Sequence, residues 1–177
     1  MFFHIGKTSG TSVKMLLKNS GVKFAGGRHL PAEVCKRKFS GIWEDAEKFT
    51  IVRNPYDRWR SSLKQCHFAW NMHPSQVMGR ASKGGLATDL FRPMSDSLLV
   101  DGELPEGLNL FKFEEDVPHN VQAWLNERGV AGEMPHYRKR QKMEVKPMRD
   151  VQIKFIQNFY RQDFEIFGYD VDDLGVG

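Results

Sequence analysis

The sequence predicts an α/β domain with a central, mainly parallel sheet and helices on both faces. Three observations carry that prediction. Short apolar or β-branched runs alternate along the chain with segments of helical periodicity. Two of those runs, ending near Ile5 and Val52, pass straight into helix starts. The chain is 177 residues long with 40% apolar residues, enough to bury one core without a disulfide staple.

The elements follow in order. Phe2 to Ile5 is a short apolar run that stops at Gly6, as a buried strand does. Thr11 to Asn19 places Val13, Leu16 and Leu17 on one helical face. Val22 to Ala25 is a weak strand closed by Gly26 and Gly27, and Pro31 to Phe39 a helix with Pro31 in its first turn. Phe49-Thr50-Ile51-Val52 is a β-branched strand. Asn54 and Pro55 then supply an N-cap and a first helical residue, and Trp59, Leu63, Cys66 and Trp70 stripe the helix that follows. His73 to Pro93 is polar and rich in Gly, Ser and Met, and is expected to be a loop or mobile cover. Leu108 to Phe113 is a further strand, and Val117 to Arg128 a helix ended by Gly129. Val151 to Phe164 is a last helix, with Ile153, Ile156, Phe159 and Tyr160 as its apolar set. Residues 1–177 thus read as one domain.

Composition excludes several classes. Charged residues at 27% and aromatics at 12% rule out disorder as the main state. No run of 18 apolar residues exists to span a membrane, and Met1-Phe2-Phe3-His4 lacks the charged start of a signal peptide. Cys35 and Cys66 have neither metal-ligand spacing nor an oxidising-compartment pattern, so both are expected to be reduced, partly buried thiols. A cytoplasmic location is expected. The net charge is +4, yet His136 to Arg149 alone carries six basic residues and one acid, leaving the rest slightly acidic. A single basic segment suits a compact phosphorylated ligand better than a nucleic-acid lattice.

The first strand ends in His4-Ile5-Gly6-Lys7-Thr8-Ser9-Gly10-Thr11-Ser12, and a helix follows at once. Strand, small-residue turn and helix start is a phosphate-binding arrangement, because backbone amides and the helix dipole converge on the anion. Lys7 adds a charge, and Thr8, Ser9, Thr11 and Ser12 add hydroxyls. A Walker loop would need a glycine five residues before Gly6, where Met1 stands.

The segment Phe3 to Ser12 resembles the 5′-phosphosulfate loop of the sulfotransferases, most of all the carbohydrate 2-O-type and HNK-1-type group with its F-H-I-P-K-T-[GA]-G-T-S pattern. Gly6 stands where that pattern has proline, and Ser9 where it has glycine or alanine. Val52-Arg53-Asn54-Pro55-Tyr56-Asp57-Arg58 resembles the family's 3′-phosphate motif, in which an arginine and a serine eight residues later hold the nucleotide 3′-phosphate. Those positions are Arg53 and Ser61, and an arginine fork suits a phosphate. Weaker matches are Phe111 to Asp116, the basic loop Pro135-His136-Tyr137-Arg138-Lys139 and the C-terminal aromatic residues Phe159 to Tyr169.

The resemblance implies a P-loop-like three-layer domain and a sulfotransferase. Its donor would be 3′-phosphoadenosine 5′-phosphosulfate, its product adenosine 3′,5′-bisphosphate, and it would need no metal. Lys7, Thr8, Ser9, Gly10, Thr11, Ser12, Arg53, Ser61, Arg138 and Lys139 would hold the nucleotide. The acceptor would be a hydroxyl, on a glycan or small compound, or an amine, recognised around residues 73–93. Lys7 would neutralise the leaving phosphate and the sulfuryl oxygens. His29, after the second predicted strand, is the candidate base, with His67 and Glu33 as reserves, while His4 is expected to be structural. Three other readings stay open on the residues alone. One is a magnesium-dependent P-loop kinase. Another is a nucleic-acid binder using the basic segment, against which the acidic remainder argues. A member that binds nucleotide without chemistry is a third.

Overall fold

The computed structural model describes residues 1–25, 29–70, 74–81, 83, 88–135 and 147–175, with the backbone alone at 67–70, 74 and 88. Three parallel strands, β1 (Phe2–Phe3), β2 (Lys48–Val52) and β3 (Leu108–Lys112), pair in that order. Phe2 pairs with Phe49, and Ile51 with Phe111. Parallel neighbours require crossovers, and the helices lie in them.

Successive strand residues point to opposite faces. Phe2, Phe49 and Ile51 pack on α1 (Gly10–Asn19) and α7 (Val117–Asn126), through Val13, Leu16, Leu17, Val117, Val121 and Leu125. Phe3 and Val52 belong to a second cluster, with Ala32 and Cys35 of α2 (Ala32–Lys38), Met94 and Leu98 of α6 (Met94–Leu98) and Phe167 of α9 (Arg161–Phe167). The sheet therefore carries helices on both faces. A third cluster joins α3 (Pro55–Trp70), α4 (Pro74–Ala81), α5 (Thr88–Phe91) and α8 (Asp150–Phe159) through Trp59, Cys66, Val77, Phe91 and Ile156. Each fully buried Leu, Ile or Val in these clusters contributes about 1.5–3 kcal/mol. No helix among the described residues is long and apolar enough to cross a membrane.

Four expectations need correction. Val22 to Ala25 is not a strand: one bond, from the Phe2 amide to the Ala25 carbonyl at 3.1 Å, ties it to β1, and Val22 is 36% exposed. With no second apolar face to cover, the segment has no reason to extend the sheet. Within 73–93, the expected loop holds α4 and α5. Val77 and Ala81, four apart, supply the buried edge that makes α4 stable. The last predicted helix is two, α8 and α9, broken at Tyr160 (φ −109°, ψ 22°). Tyr160 is buried with its hydroxyl donating to the Phe91 carbonyl at 2.8 Å, and the break turns α9 onto α6. Pro31 precedes α2 as its cap rather than lying in its first turn. The basic segment from His136 to Lys146, with Arg138 and Lys139, lies outside the described residues.

Candidate functional site

The loop between β1 and α1 lies at the carboxyl end of β1, and the Arg53–Asn54 junction lies at the same end of β2. Parallel neighbours put the two junctions side by side. In open parallel sheets this edge is where ligands bind.

Lys7 and Ser9 both adopt the left-handed conformation, with φ of +70° and +66°. Such alternation turns successive amides toward one side and makes an anion-binding concavity. Non-glycine residues there carry strain and persist only where their surroundings fix them. Three side chains do so, each by taking one loop carbonyl. The Thr8 hydroxyl donates to the Ile5 carbonyl at 3.0 Å, Arg58 Nε to that of Gly6 at 3.1 Å and Arg53 Nη1 to that of Lys7 at 3.4 Å. In a trans peptide the N–H points opposite to the carbonyl. Holding the carbonyls of residues 5–7 inward therefore aims the amides of residues 6–8 away from the protein donors. At the start of α1 the Ser12 amide bonds to the Ser9 carbonyl at 3.0 Å, while helix geometry leaves those of Ser9, Gly10 and Thr11 without an intrahelical acceptor.

Gly10 is required by packing. A Cβ there would fall 1.9 Å from Cδ2 of the His4 ring. His4 in turn packs against His29, with ring centroids 4.4 Å apart and the planes tilted by 34°. His29 Nδ1 lies 3.1 Å from the His4 carbonyl oxygen, and its backbone is left-handed at φ +58°. The expected base is therefore held against the last turn of β1, next to the loop.

Arg53 is partly buried, with its guanidinium 4.2 Å from the Phe113 ring centroid. Burial pushes its pKa down from the ordinary value, while Asp57 and Glu114 pull it back up. Its Nε is buried with no acceptor among the described residues. Ser61 is half-buried on α3, and its hydroxyl makes no hydrogen bond among the described residues. Lys7 is half-buried, and its charge draws the Cys66 thiol down against the larger upward effect of burial. The Thr8 hydroxyl, expected among the anion's donors, is spent inside the loop. Ser9 and Ser12 are half-buried and Thr11 exposed. Glu33 opens α2 on the second face, and His67 is on α3 with only its backbone described.

Asn54 caps α3 as its sequence suggests, Oδ1 accepting from the Tyr56 amide at 2.9 Å and the Asp57 amide at 3.4 Å. The Asn54 amide donates to Glu114 Oε1 at 2.8 Å, and Glu114 Oε2 accepts from the Tyr169 hydroxyl at 3.0 Å. The C-terminal segment continues along α3, where Tyr56 donates to the Val171 carbonyl and Asn54 Nδ2 to that of Asp173. These contacts fix the backbone from which Arg53 projects.

The sequence reading missed Arg58, although it stands five residues after Arg53 in the quoted motif. Burial of a charged side chain was the absent signal: Arg58 is 1% exposed. It also missed Asp163, which is fully buried and accepts from the Met94 and Ser95 amides at 2.8 Å each, capping α6. No group of three or more His, Cys, Asp or Glu side chains able to hold a metal ion occurs among the described residues. Comparison of the chain with protein-family models, curated proteins and solved structures finds no match.

Proposed function

We propose that the chain is a sulfotransferase that takes its sulfuryl group from 3′-phosphoadenosine 5′-phosphosulfate, and that its fold is of the P-loop-like kind. One observation carries the reading. A left-handed loop with three anchored carbonyls faces an arginine whose Nε lacks an acceptor among the described residues, across two adjacent parallel strands. That pairing offers two anion sites side by side, and the donor nucleotide carries anionic groups at its 5′ and 3′ positions.

The residues fit such a ligand. The amides of Ser9, Gly10 and Thr11 and the Lys7 ammonium would take the 5′ end, and Arg53 with Ser61 the 3′-phosphate. A phosphate would complete the hydrogen bonding of Arg53, which otherwise leaves a buried donor unsatisfied at a cost of about 1–3 kcal/mol. Arg138 and Lys139 are proposed to close over the nucleotide on the strength of the motif. The bound donor supplies a transferable sulfuryl group.

The chain's own residues would then do two things. Lys7 and the loop amides balance charge gathering on the bridging and equatorial oxygens, the usual protein contribution to such in-line transfers. His29 removes the proton of the acceptor hydroxyl or amine. A carbonyl only accepts, so the His29 Nδ1 facing the His4 oxygen carries the hydrogen. The neutral ring then presents its lone pair at Nε2, and that nitrogen is the base. The acceptor is proposed to be a hydroxyl of a glycan or small compound.

Thermal unfolding tests the reading. Adenosine 3′,5′-bisphosphate should raise Tm, since it binds the folded state. AMP, which lacks the 3′-phosphate, should raise it less. Equal shifts would remove the 3′ site, and no shift with either nucleotide would remove the reading.

A further inference from the structure

We propose that Arg58 is a positioning residue that locks the phosphate loop to the single helical turn of α5 and Arg92 after it (residues 89–92), so that an anion seated in the loop also fixes the wall beside it. The inference rests on the nucleotide reading and adds to it a coupling between donor and acceptor sides.

Arg58 spans two carbonyls with one planar group. Its Nε donates to Gly6 at 3.1 Å and its Nη2 to Arg92 at 2.8 Å. The fork is rigid, so the two carbonyls cannot separate without breaking a bond in a site that is 1% exposed. The Gly6 carbonyl immediately precedes the left-handed Lys7, whose own carbonyl Arg53 holds. Movement of the 89–92 turn is thereby movement at the strained point of the loop.

The two segments also touch directly. A Cβ at Gly6 would lie 2.6 Å from the Asp89 carbonyl oxygen. The Gly6 backbone is not left-handed, so space and not conformation demands glycine. This explains the departure from the proline pattern noted in the sequence: the turn at Asp89 occupies the volume that a ring would fill.

The far side of the turn is bolted down in the same manner. The carbonyls of Leu90 and Phe91 accept from Ser62 and Tyr160, each at 2.8 Å, next to the Arg92 carbonyl held by Arg58. Asp163 then holds the Met94 and Ser95 amides. The wall is thus a continuation of the α3 and α8–α9 core, and Arg58 is its link to the loop. The acceptor-side region expected at 73–93 ends in this wall, so nucleotide binding would set the surface that an acceptor meets.

Hydrogen exchange on the full chain, followed by mass spectrometry with adenosine 3′,5′-bisphosphate as the probe, tests this. In the wild type the nucleotide should slow exchange at least tenfold both at residues 8–12 and at 89–98. Arg58→Lys keeps the charge but replaces a fork by a single point donor. In it, protection should remain at 8–12 and be lost at 89–98, a ligand-dependent split that a purely structural role would not produce. Gly6→Ala leaves Arg58 intact and pushes on Asp89. It should speed exchange at 89–98 without nucleotide and weaken bisphosphate binding about tenfold, and if Arg58→Lys fails to fold this variant decides alone. Protection confined to 8–12 in the wild type, equal protection at 89–98 in Arg58→Lys, or unchanged exchange at 89–98 in Gly6→Ala overturns the coupling. No protection anywhere in the wild type overturns the nucleotide reading and this inference with it.

Discussion

His29 Nδ1 faces the carbonyl oxygen of His4 at 3.1 Å, and the two rings pack at a 34° tilt with centroids 4.4 Å apart. One residue at the end of the first strand thus holds the other in ring plane and tautomer. Asparagine at position 29 would keep a donor for the His4 carbonyl and tolerates the left-handed backbone at φ +58°. His29→Asn should therefore fold normally and bind adenosine 3′,5′-bisphosphate as the wild type does. It should lower kcat by about 10²–10⁴-fold, the usual contribution of a positioned base. The wild-type rate should fall as the imidazole protonates, and the variant should lack that inflection. Near-normal turnover in His29→Asn would move the base elsewhere, with His67 and Glu33 next to be tested.

Arg53 and Ser61 should differ in their effects on the nucleotide. Arg53→Ala removes a charged fork and should weaken bisphosphate binding by about 2–3 kcal/mol. Ser61→Ala removes one neutral donor and should cost about 1 kcal/mol. AMP affinity should change little in either variant, because its missing phosphate is the one they are proposed to contact. Calorimetric titration with both nucleotides reads this directly. Parallel losses for AMP and the bisphosphate would mean that Arg53 acts through the Lys7 carbonyl, on the loop itself.

The loop was legible from sequence because strand, small residues and helix stand together there. The same holds for Asn54 capping α3, and for Val13, Leu16 and Leu17, all buried as their spacing predicts. What stayed hidden depends on tertiary partners. Nothing local marks Arg58 as buried, since its acceptors Gly6 and Arg92 lie 52 and 34 residues away. The break at Tyr160 is likewise invisible to a periodicity that runs through it, because the cause is a hydroxyl reaching the Phe91 carbonyl 69 residues distant. α4 was masked by polar composition, although two residues four apart suffice for its buried edge.

Gly10 is a sharp steric test of the loop. It occupies the first turn of α1 without a left-handed backbone, so alanine by intrinsic preference would favour the helix by about 1 kcal/mol. Against that stands the His4 ring, 1.9 Å from the new Cβ. Gly10→Ala should then destabilise the protein by about 1–3 kcal/mol net, the range for overpacking a filled site. Adding His4→Ala should relieve most of the loss, a coupling that a double-mutant cycle in urea measures. A stabilised Gly10→Ala would show that the ring moves aside freely.

Cys35 and Cys66 are both free and fully buried, beyond the partial burial expected from the sequence. Burial pushes both thiols up from their ordinary value, and it does the same to the Tyr56, Tyr160 and Tyr169 phenols. In alkali the folded chain therefore binds more protons than the unfolded one, and stability falls as pH rises. The loss should begin near the ordinary thiol range, about pH 8.5–9, and deepen toward the phenol range near 10. Urea midpoints between pH 7 and 10.5 should drop steadily, and a thiol reagent should label neither cysteine until unfolding. Rapid labelling of the native chain would contradict the burial on which the argument rests.

Turnover should persist in excess EDTA. In magnesium-dependent phosphoryl transfer the metal bridges the phosphate oxygens and neutralises developing charge. In the proposed site Lys7, the amides of Ser9, Gly10 and Thr11 and the Arg53 guanidinium would supply donors and two full charges to the anion, which can take that role without a cation. Lys7→Met should then abolish turnover while retaining the fold, and added Mg²⁺ should not rescue it. An activity lost on chelation and restored by Mg²⁺, with ATP in place of the sulfate donor, would reassign the same loop to a kinase.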